Sequence, residues 1–219
     1  MQAKQIIKPV LDALNEDIAD PVRWTREDLL EFVTDGMYQI VLLRPDANAV
    51  VEAVPLAGGS KQTLPARGTQ LLGVVRNMGA DGRTPGRAVS LVERPALDAV
   101  SRMWHMDAPC SEIDHYAYNE KVPTVFWVCP VPEEGVWVEL EYGVVPSALT
   151  GLDDETDLGD IWKGPLMDYV FHRCYGVNAS SPADLMKSKE YLSRFYLSLG
   201  EEAKARLVFN PNAEQGSAS

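Results

Sequence analysis

The chain has 219 residues, 46% of them hydrophobic and 24% charged, the values of a folded protein with room for one large domain or two small ones. Its formal charge of −12 argues against tight nucleic-acid binding, which needs a basic patch to displace counterions from phosphate. An acidic wall repels phosphate instead and would let DNA slide past, although the same charge also serves plain solubility.

Ile6, Ile7, Val10, Leu11 and Leu14 recur at helical spacing, so residues 3–15 read as a short amphipathic helix, with Pro9 near a first turn or at a kink. Thr25 followed by Asp28 is an N-cap of the capping-box type. Leu29, Leu30, Val33, Met37, Ile40 and Val41 then share one face of a helix over 26–43, closed by the Arg44-Pro45 pair. From residue 48 to about 144 the period becomes two. Strands are expected at 49–55, 69–78, 87–92, 112–118, 124–129 and 136–142. In the last, Val136, Val138, Leu140 and Tyr142 share one face, and Trp137, Glu139 and Glu141 the other. Residues 79–86 hold Gly79, Gly82, Gly86 and Pro85 and read as an extended hairpin tip of the kind that touches partners.

Helical spacing returns after the acidic linker at 153–157, with Ile161, Trp162, Leu166, Tyr169, Val170 and Cys174 on one face and Pro165 at a first turn or kink. Ser181-Pro182-Ala183-Asp184 starts a final helix whose stripe is Leu185, Leu192, Phe195, Tyr196, Leu199 and Ala203. The last ten residues, NPNAEQGSAS, have no periodicity and are expected to be mobile in the free subunit. Neither helix pair can bury its stripe alone. The expected fold is therefore α+β: N- and C-terminal helix pairs (1–47 and 145–208) form one bundle, with an antiparallel β-sandwich or barrel inserted at 48–144 and a flexible arm at 209–219.

No site of chemistry stands out. Cys110, Cys129 and Cys174 form no CxxC pair, so neither a disulfide framework nor a zinc knuckle is indicated. His105-x4-Cys110-x4-His115 matches no usual ligand spacing and reads as satisfied polar groups in and beside a strand, while His172 belongs on a helix surface or packed interface. Gly58-Gly59-Ser60-Lys61 lacks phosphate-loop spacing and reads as a turn. Asp153, Asp154, Glu155, Asp157 and Asp160 lack the EF-hand order, so no metal or other cofactor is expected. No nucleophile elbow or H-E-x-x-H helix occurs, so an enzyme is not expected either, although a triad that meets only in space stays open. The N-terminus has no long apolar run, and no stretch approaches a membrane span, so synthesis in a cytosol is expected. Trp104, Tyr116, Tyr118, Trp127 and Trp137 all fall in the strand block, which suits interfaces but also glycan stacking.

Several stretches occur in a telling order: RWTREDLLEFVTDG, LLRPDA, GGSKQTLP, LLGVVRN, the Trp104-His105 pair, VPTVFWVCPVP, VELEYGVVP and PLMDYVFHRCYG. Over residues 5–208 this resembles the head-to-tail adaptor (connector) proteins of tailed bacteriophages, of the tail tubular protein A type. The resemblance implies a structural virion protein of the neck: a homo-oligomeric ring of twelve subunits beneath the portal protein, with a tail tube or nozzle protein below. DNA would pass through its centre without sequence-specific binding. Twelve copies at −12 each make an acidic bore plausible. Within that frame, Leu207, Phe209 and Pro211 are candidate anchors of a portal-contact arm. Gly79, Gly82, Arg83 and Arg87 are candidates for a partner-contact loop, and Trp137 for an exposed interface aromatic. The competing readings are a glycan-binding or tail-accessory module on the β block, and a hydrolase with an unrecognised site.

Overall fold

A computed structural model describes residues 1–177, 179, 181–201, 204, 205 and 208. The chain is α+β, and it divides into two compact units, Met1–Arg44 with Pro146–Ser219, and Pro45–Val145.

The first unit is helical. Helix α1 (Ala3–Ala13) buries Ala3, Ile6, Ile7, Val10 and Leu11, and it runs through Pro9. Helix α2 (Arg26–Leu43) is capped as its sequence requires: Asp28 N donates to Thr25 Oγ1 at 3.1 Å and Thr25 N to Asp28 Oδ2 at 2.9 Å. All six expected core residues of α2 are buried. In α4 (Lys163–Val177) Pro165 falls in the first turn, where a missing N–H costs nothing. Ile161, expected on the core face, lies in a 3-10 turn before α4 and is 83% exposed. Helix α5 (Pro182–Ser198) begins at the Ser181 cap, whose Oγ accepts from Asp184 N at 3.2 Å. It buries Ser188 and Phe195, but Leu185, read as core, is exposed; Ala203 lies outside the described residues.

Helix α4 packs on α1, α2 and α5. At Gly36 of α2 a Cβ would stand 3.1 Å from both Leu166 and Tyr169, so this glycine sets the closeness of α2 and α4. Arg173 lies with its guanidinium 4.6 Å from the Phe32 ring centroid and bonds Asp35, tying the same helices on their polar side.

The second unit is a two-sheet sandwich. It comprises β1 (Ala49–Pro55), β2 (Lys61–Thr63), β3 (Gly68–Met78), β4 (Pro85–Ala88), β5 (Ser90–Leu91), α3 (Arg94–Val100), β6 (His115–Tyr118), β7 (Val125–Cys129) and β8 (Trp137–Val144). One sheet has the order β1-β8-β3-β4 and the other β2-β7-β6-β5. Side chains from both meet in one core: Leu71, Val74, Val138, Leu140 and Tyr142 from the first, Tyr116, Phe126 and Val128 from the second.

The sheets form no closed barrel, and β5 runs parallel to β6, so the expectation of a wholly antiparallel block is corrected there. The strand expected at 87–92 is two short strands, β4 and β5, one in each sheet. At its centre Val89 turns into the core and hands the chain across. Strand β2 and helix α3 had no expected counterpart. Three residues are too few to show a period, and α3 buries none of its residues.

Candidate functional site

The hairpin between β3 and β4 is the part of the β unit that sequence marked for contact, and its tip is a built turn. Asp81 Oδ1 accepts from the N–H groups of Arg83 and Thr84, each at 2.9 Å, and Oδ2 accepts from Thr84 Oγ1 at 3.0 Å. These bonds hold the Asp81 carboxyl below the usual carboxylate range. Gly79 N donates to Thr84 O at 2.7 Å and Gly82 N to Gly79 O at 2.8 Å, closing the loop from inside.

Gly82 has φ +65, and a Cβ there would sit 2.9 Å from Trp137 Cε3. The tip therefore lies directly against the indole. Trp137, expected as an exposed interface aromatic, is half-buried, because the loop tip packs against its indole. Arg83 extends from the tip into solvent. Arg87, on β4, is 72% exposed and faces Asp114 Oδ1 at 3.2 Å and Glu112 Oε2 at 3.8 Å. So the structure brings Gly79, Gly82 and Arg83 into one turn packed against Trp137 of β8, with Arg87 on the strand that leaves it. The proposed arm anchors Leu207, Phe209 and Pro211 lie outside the described residues.

Two residues that fix this hairpin went unremarked in the sequence. Asn77, 2% exposed, donates from Nδ2 to Ile113 O at 2.7 Å and Arg87 O at 3.2 Å, and accepts from Ile113 N at 2.8 Å. It thereby clamps β4 and the approach to β6 onto β3. Its signal is an amide inside the apolar run LLGVVRNM. Asp81 is the other, and Asp-Gly-x-Thr is the signature of a turn that folds on its own carboxylate.

Elsewhere the polar residues have structural employment. Ser60 Oγ meets His105 Nδ1 at 2.8 Å, and Gln62 fastens the glycine turn by bonds to Ala57 and Gly59. His115 departs from expectation, since its Nδ1 is buried without a hydrogen-bond partner. No group of three His, Cys, Asp or Glu among the described residues could hold a metal ion. In the acidic run, Asp154 accepts from Thr150 and Gly151, Asp153 pairs with Lys4 at 2.6 Å, and Ala3 N and Lys4 N donate to the Asp154 and Leu152 carbonyls. The run therefore caps the start of α1. His172 Nδ1 lies 2.9 Å from Ser188 Oγ between α4 and α5, and burial lowers its pKa.

A cleft of about 630 Å3 opens between α3 and the β6–β7 turn, lined by Tyr118, Glu120, Lys121, Trp127, Arg94 and Asp98 among others. Arg94 lies 5.1 Å from the Trp127 ring centroid and occupies that face of the indole.

A family model described as SU10 adaptor protein matches residues 1–215. The chain belongs to the SU10 adaptor protein family. That family is one of structural phage adaptors of the virion neck rather than of enzymes, and a head-to-tail adaptor family is supported over the whole matched length. No curated protein matches the sequence. Among the described residues no helix is long and apolar enough to cross a membrane.

Proposed function

We propose that the chain closes into a ring of twelve subunits beneath the portal, in the manner of the tail tubular protein A type, and joins it to the tail tube or nozzle. DNA passes through the ring without sequence-specific binding, because an acidic chain repels phosphate. The helical bundle of 1–47 and 145–208 and the inserted 48–144 domain form the body of the ring, and the C-terminal segment from Leu207 to Ser219 reaches the portal through Leu207, Phe209 and Pro211. Free subunits stay monomeric until they meet the portal, so rings do not close early.

The observation that carries the reading is the hairpin tip. Its carboxylate-closed turn, seated on Trp137, presents Arg83 in a fixed position, which is what a contact loop needs to bind without a large ordering cost. Co-sedimentation of the purified chain with the portal tests it. The full chain is expected to travel with portal rings, and a chain lacking 210–219 to stay behind. Equal binding by both would remove the arm, and no binding by either would remove the adaptor ring.

The cleft beside Trp127 and Tyr118 favours the second reading, a glycan-binding or tail-accessory module. Saccharide-dependent quenching of Trp127 fluorescence, lost in Trp127→Phe, is its test.

A further inference from the structure

Helix α4 stands between α2 and α5. Its Leu166 and Arg173 meet α2 while its Phe171 and Tyr175 meet α5, and the two pairs fall on opposite sides of its axis. Tyr169 reaches both Gly36 of α2 and, at 5.2 Å between ring centroids, Phe195 of α5. One turn further on, Arg173 reaches Phe32 and Asp35, and His172 reaches Ser188. Numbers thus fall along α2 and α5 as they rise along α4. The two outer helices run in one direction, with 32–36 of α2 level with 188–195 of α5.

Each outer helix carries a stripe turned away from α4. On α2 it is Glu27, Glu31, Tyr38 and Leu42, all exposed, Leu42 by 72%. On α5 it is Met186, 58% exposed, and Leu197, 53% exposed, with Lys187 and Lys189 to either side of Met186. Between them Ser193 donates to Ala205 O at 3.3 Å, so the returning chain borders this stripe without covering Met186 or Leu197. Glu190, the one carboxylate here, lies a turn from both Lys187 and Arg194, so the stripe keeps a positive balance. Among the described residues Glu27, Glu31 and Lys189 make no hydrogen bond or ion pair, and Lys187 meets the Tyr175 ring at 5.0 Å.

We infer that α5 of one copy packs against α2 of the next, in parallel, with Lys187 and Lys189 facing Glu27 and Glu31 and with Leu197 set between Tyr38 and Leu42. The inference rests on the ring reading above and names one of its subunit contacts. Neighbours in a closed ring are related by rotation without rise, so equal heights meet. Lys187 and Lys189 stand within a turn of the height of Glu31, and Leu197 stands near that of Tyr38. At 1.5 Å per residue, Lys189 lies about 12 Å from Leu197, and Glu31 about 13 Å from the midpoint of Tyr38 and Leu42. The charged ends and the apolar ends therefore register together.

Because α2 and α5 lie on opposite sides of α4, the contact is head-to-tail, the kind that closes rings. A two-fold pairing of α2 with a second α2 would run antiparallel. It would set the carboxylates of each stripe against Tyr38 and Leu42 of the other, with no cation to meet them.

The test uses rings assembled on the portal. Lys187→Glu/Lys189→Glu and Glu27→Lys/Glu31→Lys should each cut the chain added to portal by about tenfold or more, because like charges then face across the contact. Combining all four substitutions should restore it, with the helical circular-dichroism signal of the free chain unchanged throughout. Tyr38→Cys/Leu197→Cys should give, on oxidation, a ladder of covalent oligomers that the wild-type chain, with its own three cysteines, does not give. Reversal of either charged pair without effect on assembly, or a fourfold variant no better than its parents, would overturn the contact and leave the ring standing. Covalent dimers alone would show two-fold pairing and overturn it too. Failure of the wild-type chain to add to portal would overturn the ring reading beneath.

Discussion

Replacing Asn77 by alanine should unfasten the β3–β4 hairpin at its root. The side chain is 2% exposed and satisfies both backbone groups of Ile113, at 2.7 and 2.8 Å, with a third bond to Arg87 O at 3.2 Å. Water cannot readily replace it, so Asn77→Ala leaves the Ile113 N–H and C=O orphaned in the core. Each orphaned group costs about 1–3 kcal/mol, so the loss should be about 2–5 kcal/mol. For a unit of this size that lowers Tm by roughly 10 °C or more. Urea unfolding followed by tryptophan fluorescence reads it, since Trp104, Trp127 and Trp137 belong to this unit. Asn77→Asp keeps the acceptor for Ile113 N but sets a buried carboxylate against the Ile113 and Arg87 carbonyls, so it should destabilise at least as much as alanine. A loss below about 0.5 kcal/mol for Asn77→Ala, the range of a neutral surface change, would refute the clamp.

Gly82→Ala forces a side chain into φ +65 and to within 2.9 Å of Trp137, so it should cost about 1–2 kcal/mol and shift the Trp137 emission; an unchanged melt would contradict the packing. Thiol labelling at pH 8 should reach the half-buried Cys110 and Cys129 but spare Cys174, whose burial pushes its pKa up to about 12, until the chain unfolds. Tyr142 is likewise raised to about 12, by burial and then by its bond to Glu52. Its folded pKa exceeds the unfolded value near 10, so its stabilising contribution is complete below pH 10 and is lost between about pH 10 and 12. Tyr142→Phe should flatten that fall in a pH-dependent urea titration. Lowered by burial, His172 works in the opposite direction: stability of the helical unit should decline as pH falls from 6.5 through its folded pKa, and less so in His172→Gln.

The long elements were legible in the sequence because their periods are strong. Helix α2 and strand β1 begin and end where capping, proline and alternation put them, and β8 buries Val138, Leu140 and Tyr142 as its pattern requires. What escaped was set by tertiary contact. Strand β2 exists because Lys61–Thr63 pairs with β7, and β5 because Ser90–Leu91 lies beside β6. Leu185 and Ile161 fit a helical stripe but are 49% and 83% exposed among the described residues.

The candidate site was half legible. Glycines and Pro85 marked the tip, but a two-residue alternation cannot tell that the tip would fold back onto Trp137.

Native mass spectrometry of the chain mixed with the portal protein tests the central claim most directly. The account predicts monomers alone and, with portal, a complex that gains twelve copies per portal ring. A chain that stays monomeric beside intact portal rings would contradict it.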